Sequence, residues 1–456
     1  MNNKSAKKSL SALALALLMT SPLLAASYSP DMPQNVPQEK IPMAEKASSE
    51  RILISPLSLE TCFKLALKRS EVIAIRKEEI EVTEAQFLKA LSEALGDADF
   101  VVTGFHQDAP SPTGSESGVS STFNAKHRRE RKFVLKQPLF QGFKSLGALM
   151  GAGSLKKQRE DEKIRAEQLL FLDVSRAFYD LLRLKKDVEI IARMRDLYKE
   201  RIEELSEREK IGRSRPSEIA TATARMKLLE ADLAKSRGAF VITQRILEFL
   251  TGIEMDPSQI VEEDLENKDA HELTDYLKIV KLRPDVEASK QALKTARNGV
   301  VVAQSALWPE LSLENNQYMK REGFQSGVNW DLLLKLNVPL FRGGETLGKI
   351  KEAVSSWKKA KLSYSLKERE AEFEIKEAYQ GWVTSRERFE ALHEALKASE
   401  ENFQFQKDEY TRNLVSNLDV LEALESLHQT SRQTNEAHYE LKQNYWRLKV
   451  ATGEAL

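Results

Sequence analysis

The chain has 456 residues, with 69 Lys+Arg against 69 Asp+Glu and a formal net charge of zero. That balance excludes a generally nucleic-acid-seeking chain, which needs a basic excess to neutralise phosphates. A 30% charged content with only 19 Gly and 14 Pro suits long exposed helices better than a compact α/β enzyme, and the single cysteine, Cys62, excludes a disulfide within the chain.

The first element in chain order is a secretory signal over residues 1–26. Lys4, Lys7 and Lys8 precede an apolar run from Leu10 to Leu18, and Pro22-Leu23-Leu24-Ala25-Ala26 provides a small-residue exit. No Cys follows that run, so lipid attachment there is not expected. The Pro-dotted residues 27–56 read as an irregular strap. Beyond the signal no 18-residue apolar stretch exists, which argues against a helical membrane protein. Export without membrane helices leaves the periplasm, the exterior, or an outer-membrane β-barrel whose alternating strands hide the membrane segment.

The remainder reads as a tandem duplication, mainly α with a small β part. Pro138-Leu139-Phe140-Gln141-Gly142 recurs as Pro339-Leu340-Phe341-Arg342-Gly343, an offset of 201 residues. The same offset relates Ala177-Phe178 to Ala378-Tyr379, Glu218 to Asp419, and Thr251-Gly252 to Thr452-Gly453. Arg69-Ser70-Glu71-Val72 pairs with Arg283-Pro284-Asp285-Val286 at an offset of 214, and the difference falls in a polar, turn-rich loop from Asp108 to Gly118. Repeat 1 (57–253) predicts a helix over 57–95, a β-hairpin over 99–139, and helices over 145–211 and 217–250. A linker, 254–272, leads to repeat 2 (273–456), with a helix over 273–307, a hairpin over 311–340, and helices over 346–412 and 418–451.

A helix of about 67 residues at 1.5 Å per residue is on the order of 100 Å long, so these helices must lie against one another as coiled coils. Ile219, Ala222, Met226, Leu229, Leu233, Ser236, Phe240, Thr243, Leu247 and Leu250 alternate steps of three and four, the spacing of such a seam. Its duplicate is more polar, with Thr430, Thr434 and Asn444. Two readings stand side by side: looser packing, or a helix that must move or face water.

From Val328 to Val338 the residues alternate, with Val328, Trp330, Leu332, Leu334, Leu336 and Val338 on one face and mostly polar residues on the other. Period two with one apolar face suits a strand between lipid and water, and equally a strand of a soluble sandwich. Four strands cannot close a spanning barrel, so several chains must pool them, as a ring of two or three copies. Pro138 and Pro339 are expected to end strand pairing at the strand-to-helix junctions, with Gly142 and Gly343 turning the chain.

The duplicated order of Leu57-Ser58-Leu59-Glu60 with Leu65-Ala66-Leu67, Leu282 to Val286, both Pro-Leu-Phe-x-Gly segments and the turns Gly212 to Ile219 and Asn413 to Leu421 resembles the TolC family of outer-membrane efflux and secretion ducts. The resemblance covers residues 57–456 and implies a homotrimer, with a 12-stranded barrel in the outer membrane of a Gram-negative-type bacterium continued by an α-helical barrel across the periplasm. It also implies docking to a periplasmic adaptor and an inner-membrane pump, and passive conduction. By the same resemblance, Asp419 and Glu422 match the acidic constriction, Glu422 standing where an aspartate is expected. Tyr410 and Glu218 match positions of the latch between inner and outer helix pairs, and a latch arginine is replaced by Val415, with Arg412, Arg213 or Arg215 as stand-ins. The turns at Gly212, Arg215, Asn413 and Leu414 become adaptor-contact tips.

Residue chemistry adds its own readings. Gly212 and Asn413 suit a helix C-terminus, and Glu218 and Asp419 fall in the following first turn, where a carboxylate favours the positive helix end; for Glu218 this capping role stands beside the latch reading. Asp419 and Glu422, three apart, share a face and would form stacked acidic rings around a symmetric pore. His106, His127, His271, His393, His428 and His438 show no metal-ligand spacing, and no nucleophile motif, phosphate loop or dinucleotide fingerprint appears, so neither enzyme, metal nor cofactor is expected. The basic run His127-Arg128-Arg129-Glu130-Arg131-Lys132 is either a lipopolysaccharide contact or a solvated charge run. The residues also allow a soluble periplasmic coiled-coil adaptor or scaffold.

Overall fold

The computed structural model describes residues 57–106, 108, 127–262, 272–322 and 326–454. The signal, the strap, the polar loop beyond Asp108, His271 and linker residues 263–271 lie outside them.

Helix α1 (Leu59–Arg69) starts at Ser58, whose hydroxyl accepts from Thr61 N at 3.2 Å. The single helix expected over 57–95 is broken at Ser70. Its backbone N–H donates to Ala66 O at 2.8 Å, closing α1, and its hydroxyl accepts from Ile73 N at 3.4 Å, opening α2 (Glu71–Leu95). Strands β1 (Asp97–His106) and β2 (His127–Gln141) follow, then α3 (Lys144–Lys210) and α4 (Pro216–Thr251). The expected helix 273–307 is likewise interrupted. A short α5 (Leu273–Lys278) and a 3-10 turn (Val280–Leu282) precede α6 (Pro284–Gln304), where Pro284 occupies the first helical position that suits it. Strands β3 (Glu310–Arg321) and β4 (Trp330–Asn337) then lead to α7 (Glu345–Thr411) and α8 (Asn417–Ala451). Both α3 and α7 have 67 residues.

α3 packs against α1, α2, α4, α6 and α8, while α7 packs against α6 and α8. The seam of α4 buries Ala222, Leu229, Leu233, Ser236 and Leu247. Polar seam residues of α8 reach across to α7: Thr434 Oγ1 donates to Leu392 O at 3.1 Å, and Asn444 Nδ2 to Gly381 O at 3.4 Å. One apolar cluster gathers Phe63, Phe171, Phe178, Leu247 and Val450 around Cys62, whose thiol burial pushes up to about 12 and so holds protonated. A second lies toward the α3–α4 and α7–α8 turns, and a third surrounds Val286 and Ile375.

Arg283 is wholly buried and satisfies its guanidinium on Asp285, Glu374 and the Ala451 and Ala371 carbonyls, at 2.6 to 3.3 Å. Its side chain lies against Gly453, as that of Arg69 lies against Gly252. Glu262, from the start of the linker segment, is fastened to α8 by His438, Tyr439 and Lys442, and these hydrogen bonds, led by that of His438, hold its carboxyl down to about 2.

The four strands form one antiparallel sheet in the order β1-β2-β3-β4. Pro138 does not end pairing. β2 continues to Gln141 against β3, and a register shift between Pro138 and Phe140 accommodates the missing N–H. Pairing of β4 stops at Asn337, before Pro339, and the strand is shorter than the alternation from Val328 to Val338. Gly142 turns β2 toward α3 at φ 58, and a side chain there would collide with Ser305 O and Trp308 Cβ at 2.7 Å. Gly343 has the same φ of 58 before α7.

Candidate functional site

Two regions concentrate the chemistry: the sheet faces and the helical turns. Opposed residues share a face of a sheet, so the register sorts the side chains. One face carries Phe100, Val102, Phe133, Leu135, Trp330, Leu332, Leu334 and Leu336, every one 45% or more exposed. The other carries Lys132, Lys136, Glu314, Asn316, Tyr318, Asp331 and Lys335. There Asp331 accepts from Asn316 Nδ2 at 2.9 Å and from the Tyr318 hydroxyl at 2.8 Å. Such a sheet presents an apolar surface that water does not suit and a wet, charged surface behind it. Its outer edges belong to β1 and β4, which pair only with β2 and β3 among the described residues. No helix among those residues is long and apolar enough to cross a membrane.

At the turn between α3 and α4, Gly212 takes φ 72 and its N–H donates to Glu209 O at 2.8 Å. Asn413 does the same between α7 and α8 at φ 59, donating to Tyr410 O at 3.0 Å. Arg215 and Leu414 are exposed, Leu414 to 70%. Glu218 turns back on its own helix end, accepting from the Ser214 hydroxyl at 2.6 Å and from Arg215 N at 3.5 Å. Asp419 forms a capping box with Ser416, accepting from its N–H and hydroxyl, both at 2.7 Å, and the serine hydroxyl holds this carboxyl below its usual value. Glu422, one turn on, is exposed. Both acids thus lie on the surface of the single chain, and Asp419 has a structural task besides.

Tyr410 is buried, and its ring lies between two guanidinium groups from α3, Arg201 at 3.7 Å and Arg208 at 4.3 Å. Arg201, also buried, donates from Nε and Nη2 to Asn417 Oδ1 at 2.9 and 2.8 Å, and from Nη1 to Glu204 at 2.6 Å. One arginine thereby joins α3, α7 and the first residue of α8. The fastening continues along α8: Arg225 donates to Leu421 O at 2.8 Å, and Arg432 pairs with Asp187 at 2.7 Å, where Ser236 also donates. Tyr198, whose phenol burial pushes up to about 12, donates to Glu425 at 3.4 Å. Beside this stretch is a half-open cavity of about 390 Å³ that includes Asp232, Glu425 and His428 in its lining. His428 is buried, its Nε2 has no hydrogen-bond partner among the described residues, and burial lowers its pKa.

Tyr410 therefore lies in a contact between hairpins, whereas Glu218 is engaged in its own turn instead. Val415 packs against the apolar cluster, and the arginines at Tyr410 are Arg201 and Arg208 rather than Arg412, Arg213 or Arg215. The missed pair carried a signal: Tyr198, Arg201, Leu205 and Arg208 keep the three-and-four rhythm of the α3 seam, and a charge on a seam needs a partner.

The mainly helical fold with its small one-faced sheet is shared with solved outer membrane proteins. Its likeness to the crystal structure of the outer membrane protein VceC from Vibrio cholerae has a TM-score of 0.75 at 18% identity, over 87% of this chain and 96% of that one. Residues 278–454 match the family model described as outer membrane efflux protein. The outer membrane protein TolC of Vibrio cholerae is 21% identical over 65% of this chain and 70% of its own length. The alkaline protease secretion protein AprF of Pseudomonas aeruginosa is 21% identical over 70% of this chain and 68% of its own. The second half of this chain thus matches the outer membrane efflux protein family, and over a longer stretch the chain is similar to members of the TolC kind. Of the proteins it resembles, TolC and VceC are outer membrane proteins by name.

Proposed function

We propose that three copies of this chain pool their sheets into a closed 12-stranded barrel, continued by the long helices as a periplasmic tunnel, and that this duct conducts substrates delivered by an inner-membrane pump and its adaptor. The observation that carries the proposal is the four-stranded sheet with one exposed apolar face and two open edges. In lipid an open edge leaves N–H and C=O groups unpaired, so the edges must meet those of other copies. Because β1 and β4 run antiparallel to each other, β4 of one copy can continue the antiparallel ladder onto β1 of the next.

In this assembly the two tandem halves supply equivalent staves, and the α3–α4 and α7–α8 turns form the far end of the tunnel. Gly212, Arg215, Asn413 and Leu414 are the adaptor contacts. Asp419 and Glu422 form the acidic rings of the entrance, drawing cations and repelling anions. Arg201 and Arg208 clamp Tyr410 and hold α7 and α8 inward, so that releasing the clamp opens the entrance. The soluble adaptor alternative leaves the apolar sheet face without a partner.

Membrane fractionation followed by an unboiled gel tests the reading. The mature protein is expected in the outer membrane fraction as an SDS-resistant oligomer that falls to one chain on boiling; a detergent-free, single-chain protein in the periplasmic fraction would contradict it.

A further inference from the structure

The basic run at the start of β2 is split by strand alternation into two different surfaces. Arg128, Glu130 and Lys132 go to the polar face, where Arg128 stacks over Phe105 at 5.4 Å and Lys132 pairs with Glu130 at 3.7 Å. Arg129 and Arg131 go to the apolar face, in line with Phe133 and Leu135. Arg131 lies directly opposite Lys320 of β3, so that two exposed cations face each other on adjacent strands. Like charges in that arrangement repel and destabilise the pair unless an anion sits between them. Glu322 answers part of this charge: its carboxylate pairs with Lys320 at 2.8 Å and accepts from Arg129 N at 3.0 Å. Among the described residues Arg131 has no carboxylate within 4.0 Å. Gly104, opposite Arg129 on β1, has open space where a side chain would stand. The same end of this face carries His106 and His127, whose Nδ1 atoms are 2.5 Å apart.

Cations at the rim of a lipid-facing surface are favourable where they meet phosphate, which arginine grips through paired N–H groups. We propose that Arg129, Arg131 and Lys320 form a headgroup site for a phosphorylated glycolipid of the outer leaflet, whose acyl chains run down over Val102, Phe133 and Leu135. The inference rests on the reading that the apolar face meets lipid, and it adds a specific occupant to one end of that face. The apolar surface directly below the cations selects a lipid over a free anion, which would use the charges and leave that surface bare.

The test uses the full mature protein in detergent, titrated with a hexa-acylated, bisphosphorylated disaccharide lipid and read by native mass spectrometry. Its dephosphorylated analogue and inorganic phosphate serve as comparison probes. The combined Arg129→Gln, Arg131→Gln, Lys320→Gln variant is expected to bind the lipid at least tenfold less while keeping its oligomeric mass. The variant with Arg129→Lys and Arg131→Lys retains binding, which separates lost charge from lost fold. Equal binding by the glutamine variant, equal binding of the dephosphorylated lipid, or displacement of the lipid by millimolar inorganic phosphate overturns the proposal. A wild-type protein that carries no detergent belt overturns the proposal and the underlying membrane reading together; the three preceding outcomes leave that reading intact.

Discussion

Arg201 joins the two helical hairpins near their turns, through Asn417 and Tyr410. Its replacement by Gln removes charged hydrogen bonds to Asn417 and one face of the clamp on Tyr410, an expected loss of about 1.5–3 kcal/mol. The variant should unfold at a lower denaturant midpoint and, in planar bilayers, show a higher mean conductance than the wild type. Tyr410→Phe keeps the ring between the guanidinium groups and should change conductance little, whereas Tyr410→Ala should raise it; the reverse order would show that the hydroxyl, not the ring, holds the contact. His428 gives a pH signature. Its lowered pKa means the folded state prefers the neutral ring, so its contribution is fully present above the ordinary histidine value and is lost as pH falls through it. Glu425, Asp232 and Asp187 oppose that shift and Arg432 adds to it, with burial the largest cause. A loss of thermal stability is therefore expected on acidification from pH 6.5 toward 5, and His428→Gln should flatten it; carboxylates such as Glu262, held near 2, titrate well below that window. An unchanged slope in the variant would remove His428 from the account. At this scale residue chemistry and spacing singled out Asp419 and Glu422, whereas Tyr410 came only from the family resemblance. The partners Arg201 and Arg208 showed only as charges at seam spacing, because they lie about two hundred residues from Tyr410 and spacing does not say which distant residue they meet.

Helix ends decide where the elements start and stop. Ser416→Ala removes the capping hydroxyl of α8 and should cost about 1 kcal/mol, seen as a lower melting temperature. Glu422→Gln touches no cap and should leave stability alone while reducing cation over anion selectivity in bilayers. If instead the serine variant alone altered selectivity, the acidic ring would have to be drawn through Asp419 and its cap. The long helices and the seam of α4 were legible because apolar spacing repeats over many turns. The breaks at Ser70 and Arg283–Pro284 were not, since periodicity runs on through a residue that a single local hydrogen bond or a proline turns into a boundary. The polar seam of α8 had two readings in sequence. Thr434 and Asn444 bond to α7 carbonyls, so these residues hold the pair together through directional contacts rather than simply loosening it.

For the molecule as a whole, the informative quantity is the mismatch between four strands and the eight that the smallest spanning barrel requires. The alternation around Leu332, Leu334 and Leu336 made one apolar face visible in the sequence. The continuous β1-β2-β3-β4 order was not visible, because pairing of β2 with β3 joins segments separated by all of α3 to α6. The same long-range pairing explains why Pro138 misled: the strand partner that continues past it comes from the other half of the chain. The central claim, that copies seal one another edge to edge, is tested most directly by cysteine crosslinking in a Cys62→Ser background. Single cysteines at Val101 or Thr103 of β1 would be combined in one chain with cysteines at Asp331, Leu333 or Lys335 of β4, all on the polar face. On oxidation in outer membranes, at least one combination should give a covalent three-chain species that reverts to one chain on reduction; a scan yielding only single chains, with the protein present in the membrane, would contradict the closed trimeric barrel.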